Sequence, residues 1–356
     1  MTVGCCALLA GWATPLSAQA RPKNAGGSTT SSYEAYVPET ISPEAQQVLR
    51  MMTGPQGLPL PAPNDIEGWK KIRNYVPPQL KAIAKNPEIS RRTSDAMKRY
   101  PSTSKKGNLG GVAVVEIASE KWQDNGKVLV YVHGGGYVTG GPDLGLGGWV
   151  SGETGLRIVS IGYTLAPEAK WDQATDQVVA VLHALEQQGY APKNIAVLGD
   201  SAGGGLAAGA VLKMRDEGLG LPGVLVLWSP WSDITETGDT YVTLKRADPL
   251  LNYKLLLKRA ADAYADPKDQ KNPYVSPVYG DYSKGFPPTL IQGGTKDIFL
   301  SNCVREYRAI DSAGGTAVLD LYEGMPHVFQ GIVFGAPEAQ QSMVKMKQFL
   351  ATYLGK

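Results

Sequence analysis

The stretch Leu198-Gly199-Asp200-Ser201-Ala202-Gly203-Gly204-Gly205 follows the apolar run Ile195-Ala196-Val197 and leads into the small residues Leu206-Ala207-Ala208. This is a strand running into G-x-S-x-G and then into a helix start. A turn this sharp forces the serine outward, with its hydroxyl above the sheet. Its neighbours must be glycines because the turn leaves no room for flanking Cβ atoms. Such a position suits a nucleophile and has little use in a packed core. The chain carries 42 glycines in 356 residues, so the pattern alone recurs by chance. Its meaning depends on what accompanies it.

The first companion is His133-Gly134-Gly135-Gly136-Tyr137, placed after the strand-like run Val128-Leu129-Val130-Tyr131-Val132. Consecutive glycines after a strand let backbone N–H groups converge on one small volume. Together with the N–H of Ala202, they can bind the oxygen that becomes negative when a carbonyl is attacked. Each such donor contributes roughly 2.7–4 kcal/mol in comparable sites.

A serine nucleophile needs a histidine and an acid, in the chain order Ser, Asp or Glu, His. Only three histidines exist. His133 belongs to the glycine loop and precedes Ser201, and His183 falls in a helical pattern upstream. His327 remains, in Glu323-Gly324-Met325-Pro326-His327-Val328-Phe329 after the strand-like Thr316–Leu321. For the acid, Asp297 closes the run Thr289-Leu290-Ile291-Gln292-Gly293-Gly294-Thr295-Lys296-Asp297. That places it at the carboxyl end of a strand, where the reacting groups of open α/β sheets gather. Asp311, on a helix, and Asp320, within a strand, are weaker rivals that suit solvation better.

Strands are expected near 111–118, 127–132, 157–162, 194–198, 223–228, 288–293 and 316–321, and helices at 174–188, 203–216, 252–264, 302–312 and 337–354. This alternation predicts an α/β fold, a mainly parallel sheet with helices on both faces. Ser42 with Pro43 marks a helix start, and a proline-broken helical pattern follows to Tyr100.

Taken in order, H-G-G-G-Y, Tyr163-Thr164-Leu165-Ala166-Pro167-Glu168, G-D-S-A-G-G, Ser229-Pro230-Trp231-Ser232-Asp233, Asn272-Pro273-Tyr274-Val275-Ser276-Pro277 and M-P-H-V-F resemble the hormone-sensitive-lipase-like carboxylesterases. These are the bacterial family IV esterases of the α/β-hydrolase superfamily. The resemblance spans about residues 41 to 354. It implies an α/β-hydrolase domain over 41–356, with a helical cap built from about 41–100 and 233–276. Tyr137, Trp231 and Leu250 are candidates to line the space under that cap, or plain core. The resemblance further implies Ser201, Asp297 and His327 as catalytic residues. Gly135, Gly136 and Ala202 would form the oxyanion hole, and His133, Gly134 and Asp200 would support the motifs. The chain departs from the family pattern at Thr164 (usually Arg), Ile298 (often Pro) and Val328 (commonly Gly), which touches pocket shape rather than reacting groups. The implied reaction is cleavage of an uncharged carboxylic ester, short- to medium-chain, through an acyl-enzyme. A lactone hydrolase or amidase would use the same site. A ligand-binding homologue without catalysis is disfavoured by the presence of His327.

The formal net charge is +2 and charged residues make up 19%, with no basic cluster, which argues against a nucleic-acid partner. No metal-ligand spacing is present, and neither metal nor organic cofactor is expected. The partner expected is a small-molecule ester, with a homodimer left open. Residues 1–20 lack Lys, Arg, Asp and Glu and end in Ala18-Gln19-Ala20, resembling a signal peptide. Export to the periplasm or medium is therefore expected, with a flexible Gly/Ser/Thr-rich segment over 21–40. Cleavage after Ala20 would leave Cys303 as the single cysteine, a buried structural thiol. No long apolar stretch follows, so no integral membrane span is expected in the mature chain.

Overall fold

Eight strands form one sheet: β1 (Ser102–Leu109), β2 (Val112–Ser119), β3 (Val128–Val132), β4 (Arg157–Ile161), β5 (Ile195–Asp200), β6 (Val224–Trp228), β7 (Thr289–Gly294) and β8 (Ala317–Tyr322). Their order is β1-β2-β4-β3-β5-β6-β7-β8. The β1–β2 and β2–β4 pairs are antiparallel, and from β4 through β8 every pair is parallel. The computed structural model describes residues 36–52, 63, 65–73, 76, 78–143 and 145–356. The expected signal peptide, and the part of the 21–40 segment before Tyr36, lie outside the described residues.

The inner parallel strands β3 and β6 read as unbroken apolar runs because helices cover both faces. In β3 all five residues are buried. Val128, Val130 and Val132 point into one hydrophobic cluster and Leu129 and Tyr131 into the other, as the two-residue side-chain period requires. The first cluster includes residues of the helices Trp171–Gln187, Ala202–Asp216 and Leu300–Ser312. The second includes those of Gly147–Thr154 and Pro337–Tyr353. Each fully buried Val or Leu contributes roughly 1.5–3 kcal/mol, so this two-sided burial is the main force holding the sheet rigid under the site.

Ser42 caps the helix Pro43–Met51 by accepting the Ala45 N–H. Its own N–H and hydroxyl donate to Glu338 at 2.7 Å each, tying this helix to the C-terminal one. The segment 233–276 contributes the short helix Thr240–Thr243, a π-turn at Tyr253–Leu257 and the helix Lys258–Tyr264. Tyr264 stacks on Tyr137 with ring centroids 3.6 Å apart. Tyr137 and Trp231 are fully buried members of the core, whereas Leu250 is half-buried. Among the elements not expected are β1, the helix Gly147–Thr154 and the short helix Phe329–Ile332. Among the described residues no helix is long and apolar enough to cross a membrane.

Because β3, β5, β7 and β8 run parallel, the loops that follow them emerge at one rim. Those loops carry His133–Tyr137, Ser201, Asp297 and His327.

Candidate active site

Ser201 occupies the turn between β5 and the helix Ala202–Asp216 with φ 54° and ψ −124°, a conformation that L residues adopt only under constraint. The constraint is visible. The Ser201 N–H donates to the Trp228 carbonyl at 2.8 Å, and its own carbonyl accepts the Trp231 N–H at 2.8 Å. A Cβ on Gly203 would run into the carbonyls of Val132 and His133, and one on Gly199 into the backbone of Gly203 and Gly204. The two glycines of G-x-S-x-G are thus demanded by close packing, and the serine hydroxyl is left facing the rim.

His327 Nε2 lies 2.8 Å from Ser201 Oγ, and His327 Nδ1 lies 2.9 Å from Asp297 Oδ2. A carboxylate only accepts, so Nδ1 carries the proton and Nε2 offers its lone pair to the serine hydroxyl. Asp297 is fully buried and His327 is 7% exposed. Asp297 Oδ1 accepts the Phe299 N–H at 2.8 Å, which orients the other oxygen toward the imidazole. The loops bearing Asp297 and His327 are laced together: Lys296 N–H donates to the Met325 carbonyl at 3.0 Å and Gly324 N–H to Thr295 Oγ1 at 2.8 Å. Phe299 meets the His327 ring edge-on at 5.0 Å.

Burial favours the neutral imidazole. The Asp297 charge and hydrogen bond outweigh it, with Asp248 and Asp200 adding to the pull, so the His327 pKa is raised. The arrangement can deprotonate an alcohol and stabilise the resulting imidazolium.

The glycine loop stands beside this relay. Gly135 and Gly136 have φ of 106° and 62°. Among the described residues, no hydrogen bond uses the N–H groups of Gly135, Gly136 or Ala202. The support residues fix the loop. Gly134 N–H donates to Asp200 Oδ1 at 3.0 Å, and the Tyr131 hydroxyl donates to the same oxygen at 2.5 Å. His133 Nδ1 donates to the Gly134 carbonyl at 2.8 Å, its ring stacks on Tyr163 at 4.3 Å, and burial pushes its pKa down to about 4. It is a neutral loop strut.

The other sequence candidates stand apart from this relay. His183 is exposed on the helix Trp171–Gln187 beside Gln187, and Asp311 pairs with Arg308 at the surface. Asp320 accepts from Gln292 and Tyr322. Cys303 is a fully buried free thiol whose pKa burial pushes well up. Among the described residues no cluster of three or more His, Cys, Asp or Glu could hold a metal ion. Two residues at the site are not among the site candidates named from the sequence. The Ser229 hydroxyl accepts the Val328 N–H at 3.0 Å, next to His327, and Asp248 is buried against the Asp297 turn. Ser229 could be found only as part of the resembled S-P-W-S-D stretch, and Asp248 only by knowing the packing.

Residues 129–331 match a protein-family model described as the alpha/beta hydrolase fold. An acetyl-hydrolase of Streptomyces hygroscopicus is 31% identical over 259 residues, covering 70% of this chain and 86% of that protein. An esterase of Acinetobacter venetianus is 30% identical, covering 68% of this chain and 79% of that protein. The crystal structure of an esterase from the bacterial hormone-sensitive lipase family superposes with a TM-score of 0.69 at 28% identity, covering 88% of this chain and 99% of that one. The chain belongs to the α/β-hydrolase-fold family, as a carboxylic ester hydrolase of its hormone-sensitive-lipase branch.

Proposed function

We propose that this enzyme hydrolyses uncharged, short- to medium-chain carboxylic esters by a two-step acyl-enzyme route, with Ser201 as nucleophile, His327 as general base and acid, and Asp297 as the orienting carboxylate. The observation that carries this reading is the relay of 2.8 Å and 2.9 Å contacts from Ser201 through His327 to Asp297, set beside the glycine loop. As Oγ attacks the ester carbonyl, its proton passes to His327 Nε2. The carbonyl oxygen becomes negative within reach of the Gly135, Gly136 and Ala202 N–H groups. On collapse the C–O bond to the alcohol breaks, and His327 gives its proton to the departing oxygen. Water then repeats the sequence on the acyl-enzyme and frees the acid.

The stated chain length draws support from a relative named an acetyl-hydrolase. We assign the segments 41–100 and 233–276 to the cap. For the second, support comes from Ala260, whose Cβ stands 3.6 Å from where a side chain on Gly136 would begin. The helix Lys258–Tyr264 therefore closes over the glycine loop and limits the room beside it.

Ser201→Ala tests the assignment. Turnover of p-nitrophenyl acetate and butyrate should fall by about 10⁴-fold or more, with far-UV circular dichroism unchanged. Retained turnover in that variant rejects it. In the wild type, kcat/KM should decline from butyrate toward long-chain p-nitrophenyl esters, and a rise toward long chains contradicts the proposed acyl range.

A further inference from the structure

Asp248 has no exposed surface and no part in the relay described above, yet it sits against it. It comes from the segment 233–276, between the helix Thr240–Thr243 and the π-turn. Its Oδ1 accepts the N–H groups of Leu250 and Leu251 at 2.8 Å each. Its Oδ2 crosses 50 positions of sequence to accept the Ile298 N–H at 2.9 Å. That N–H belongs to the peptide bond leaving Asp297. Buried carboxylates are costly unless their oxygens are satisfied by donors, and here both are. One of those donors is the backbone of the acid that orients His327.

We infer that Asp248 is a positioning residue for ester hydrolysis: it clamps the Asp297 turn from the 233–276 segment, and through that turn the carboxylate that orients His327. The inference rests on the Ser201–His327–Asp297 assignment and extends it outward by one layer. The clamp acts on geometry. With the Ile298 N–H fixed by Asp248 and the Phe299 N–H by Asp297 itself, the carboxylate cannot swing away while the proton moves. The Asp248 charge adds to the pull on the imidazole, and an anion nearby stabilises the buried imidazolium that each turnover creates.

The groups facing Asp248 agree with this. Asp297 and His327 are the titratable neighbours whose charges it feels, Asp200 acts on the same imidazole, and Lys245 and Arg246 on its own segment are exposed. Burial, then the Asp297 charge, push the Asp248 carboxyl up to about 7, against the pull of its backbone donors and of His327. At alkaline pH it is an anion, and it gives up that charge as pH falls through neutrality.

The test is Asp248→Asn in the full chain, assayed with p-nitrophenyl butyrate and normalised by fluorophosphonate titration of active sites. Per site, kcat should fall about tenfold with KM changed less than about twofold. The acid limb of kcat/KM should move down by on the order of half a pH unit. Asp248→Glu, which keeps the charge, should keep the wild-type limb even where kcat drops. Wild-type kcat and limb per titrated site in Asp248→Asn would reduce the residue to a structural part and overturn the inference. Should that variant not fold, the ring ¹⁵N resonances of His327 in the native enzyme decide. A second inflection, as Asp248 takes up its proton, is required, and a single inflection rejects the coupling. A wild type that fluorophosphonate labels at Ser201 leaves the underlying assignment standing whichever way Asp248 falls.

Discussion

At the scale of single residues, the site works by holding side chains and backbone where free chains would not. Ser201 and Val328 both sit at positive φ, 54° and 47°, and each is pinned by bonds from outside its own turn. Val328 stands where the resembled esterases commonly have glycine. A β-branched residue there is strained, and the Ser229 hydroxyl that accepts its N–H helps to hold it. The acid–base behaviour follows from the same neighbours. In the proposed route His327 must be neutral to take the Ser201 proton. Its pKa is raised because the Asp297 charge and hydrogen bond outweigh burial, so protonation begins on the alkaline side of the ordinary imidazole value. The expected outcome is a kcat/KM profile that is flat at alkaline pH and falls as pH drops through a value above 6.5, measured from about pH 5 to about pH 9. In Asp297→Asn the limb should move down and kcat should fall by about 10⁴-fold. A limb at or below the ordinary imidazole value in the wild type would show that burial outweighs the Asp297 charge. Motifs made the triad readable because each partner has few alternatives: one elbow serine, one histidine downstream of it. Asp248 and Ser229 were unreadable because their roles depend on contacts across 50 and 99 positions of sequence.

At the scale of elements, the parallel strands were legible because burial writes apolar runs into them, continuous in β3 and β6, and their observed bounds fall within a residue or two of expectation. β1 was not. Its sequence, Ser-Thr-Ser-Lys-Lys-Gly-Asn-Leu, is exposed at seven of eight positions, so it has neither alternation nor an apolar run. It exists because β2 offers a complete antiparallel partner, from Ser102 opposite Ser119 to Leu109 opposite Val112. Lys105 and Lys106 on this outer strand discourage pairing with another chain. The helix Gly147–Thr154 was hidden for the opposite reason. Glycines at 147, 148 and 152 lower its propensity, but the fold needs them: a Cβ on Gly148 would meet the Tyr100 carbonyl at 2.6 Å, and one on Gly152 the Tyr100 ring at 2.7 Å. The β1–β2 turn gives a sharp comparison. Gly110 and Gly111 have φ of 58° and 82°, but a Cβ on Gly110 would strike the backbone of Ala180, while Gly111 faces open space. Gly111→Ala should cost about 1 kcal/mol, the left-handed backbone term alone. Gly110→Ala should cost about 2 kcal/mol more, from the added clash. Urea midpoints check this, and equal losses would show that the turn yields.

At the scale of the whole molecule, the parallel half of the sheet converts a topological fact into chemistry. Loops after β3, β5, β7 and β8 meet at one rim, so groups 30 and 126 positions apart in sequence come within hydrogen-bond distance. The two hydrophobic layers keep those strand ends from drifting, and the 233–276 segment presses onto the rim through Ala260 and Asp248. Family membership was legible from the ordered motifs. How Asp248 and Ala260 of the 233–276 segment meet that rim was not, because the cues of that segment are local helix signals with no partner written beside them. The central claim is an activated serine, and covalent capture reads it directly. After brief exposure of the native enzyme to an organophosphonate, peptide mass mapping should find the adduct on Ser201, formed at least about 10³-fold more slowly in His327→Ala. An adduct on another residue, or equal labelling rates in the two proteins, would contradict the account.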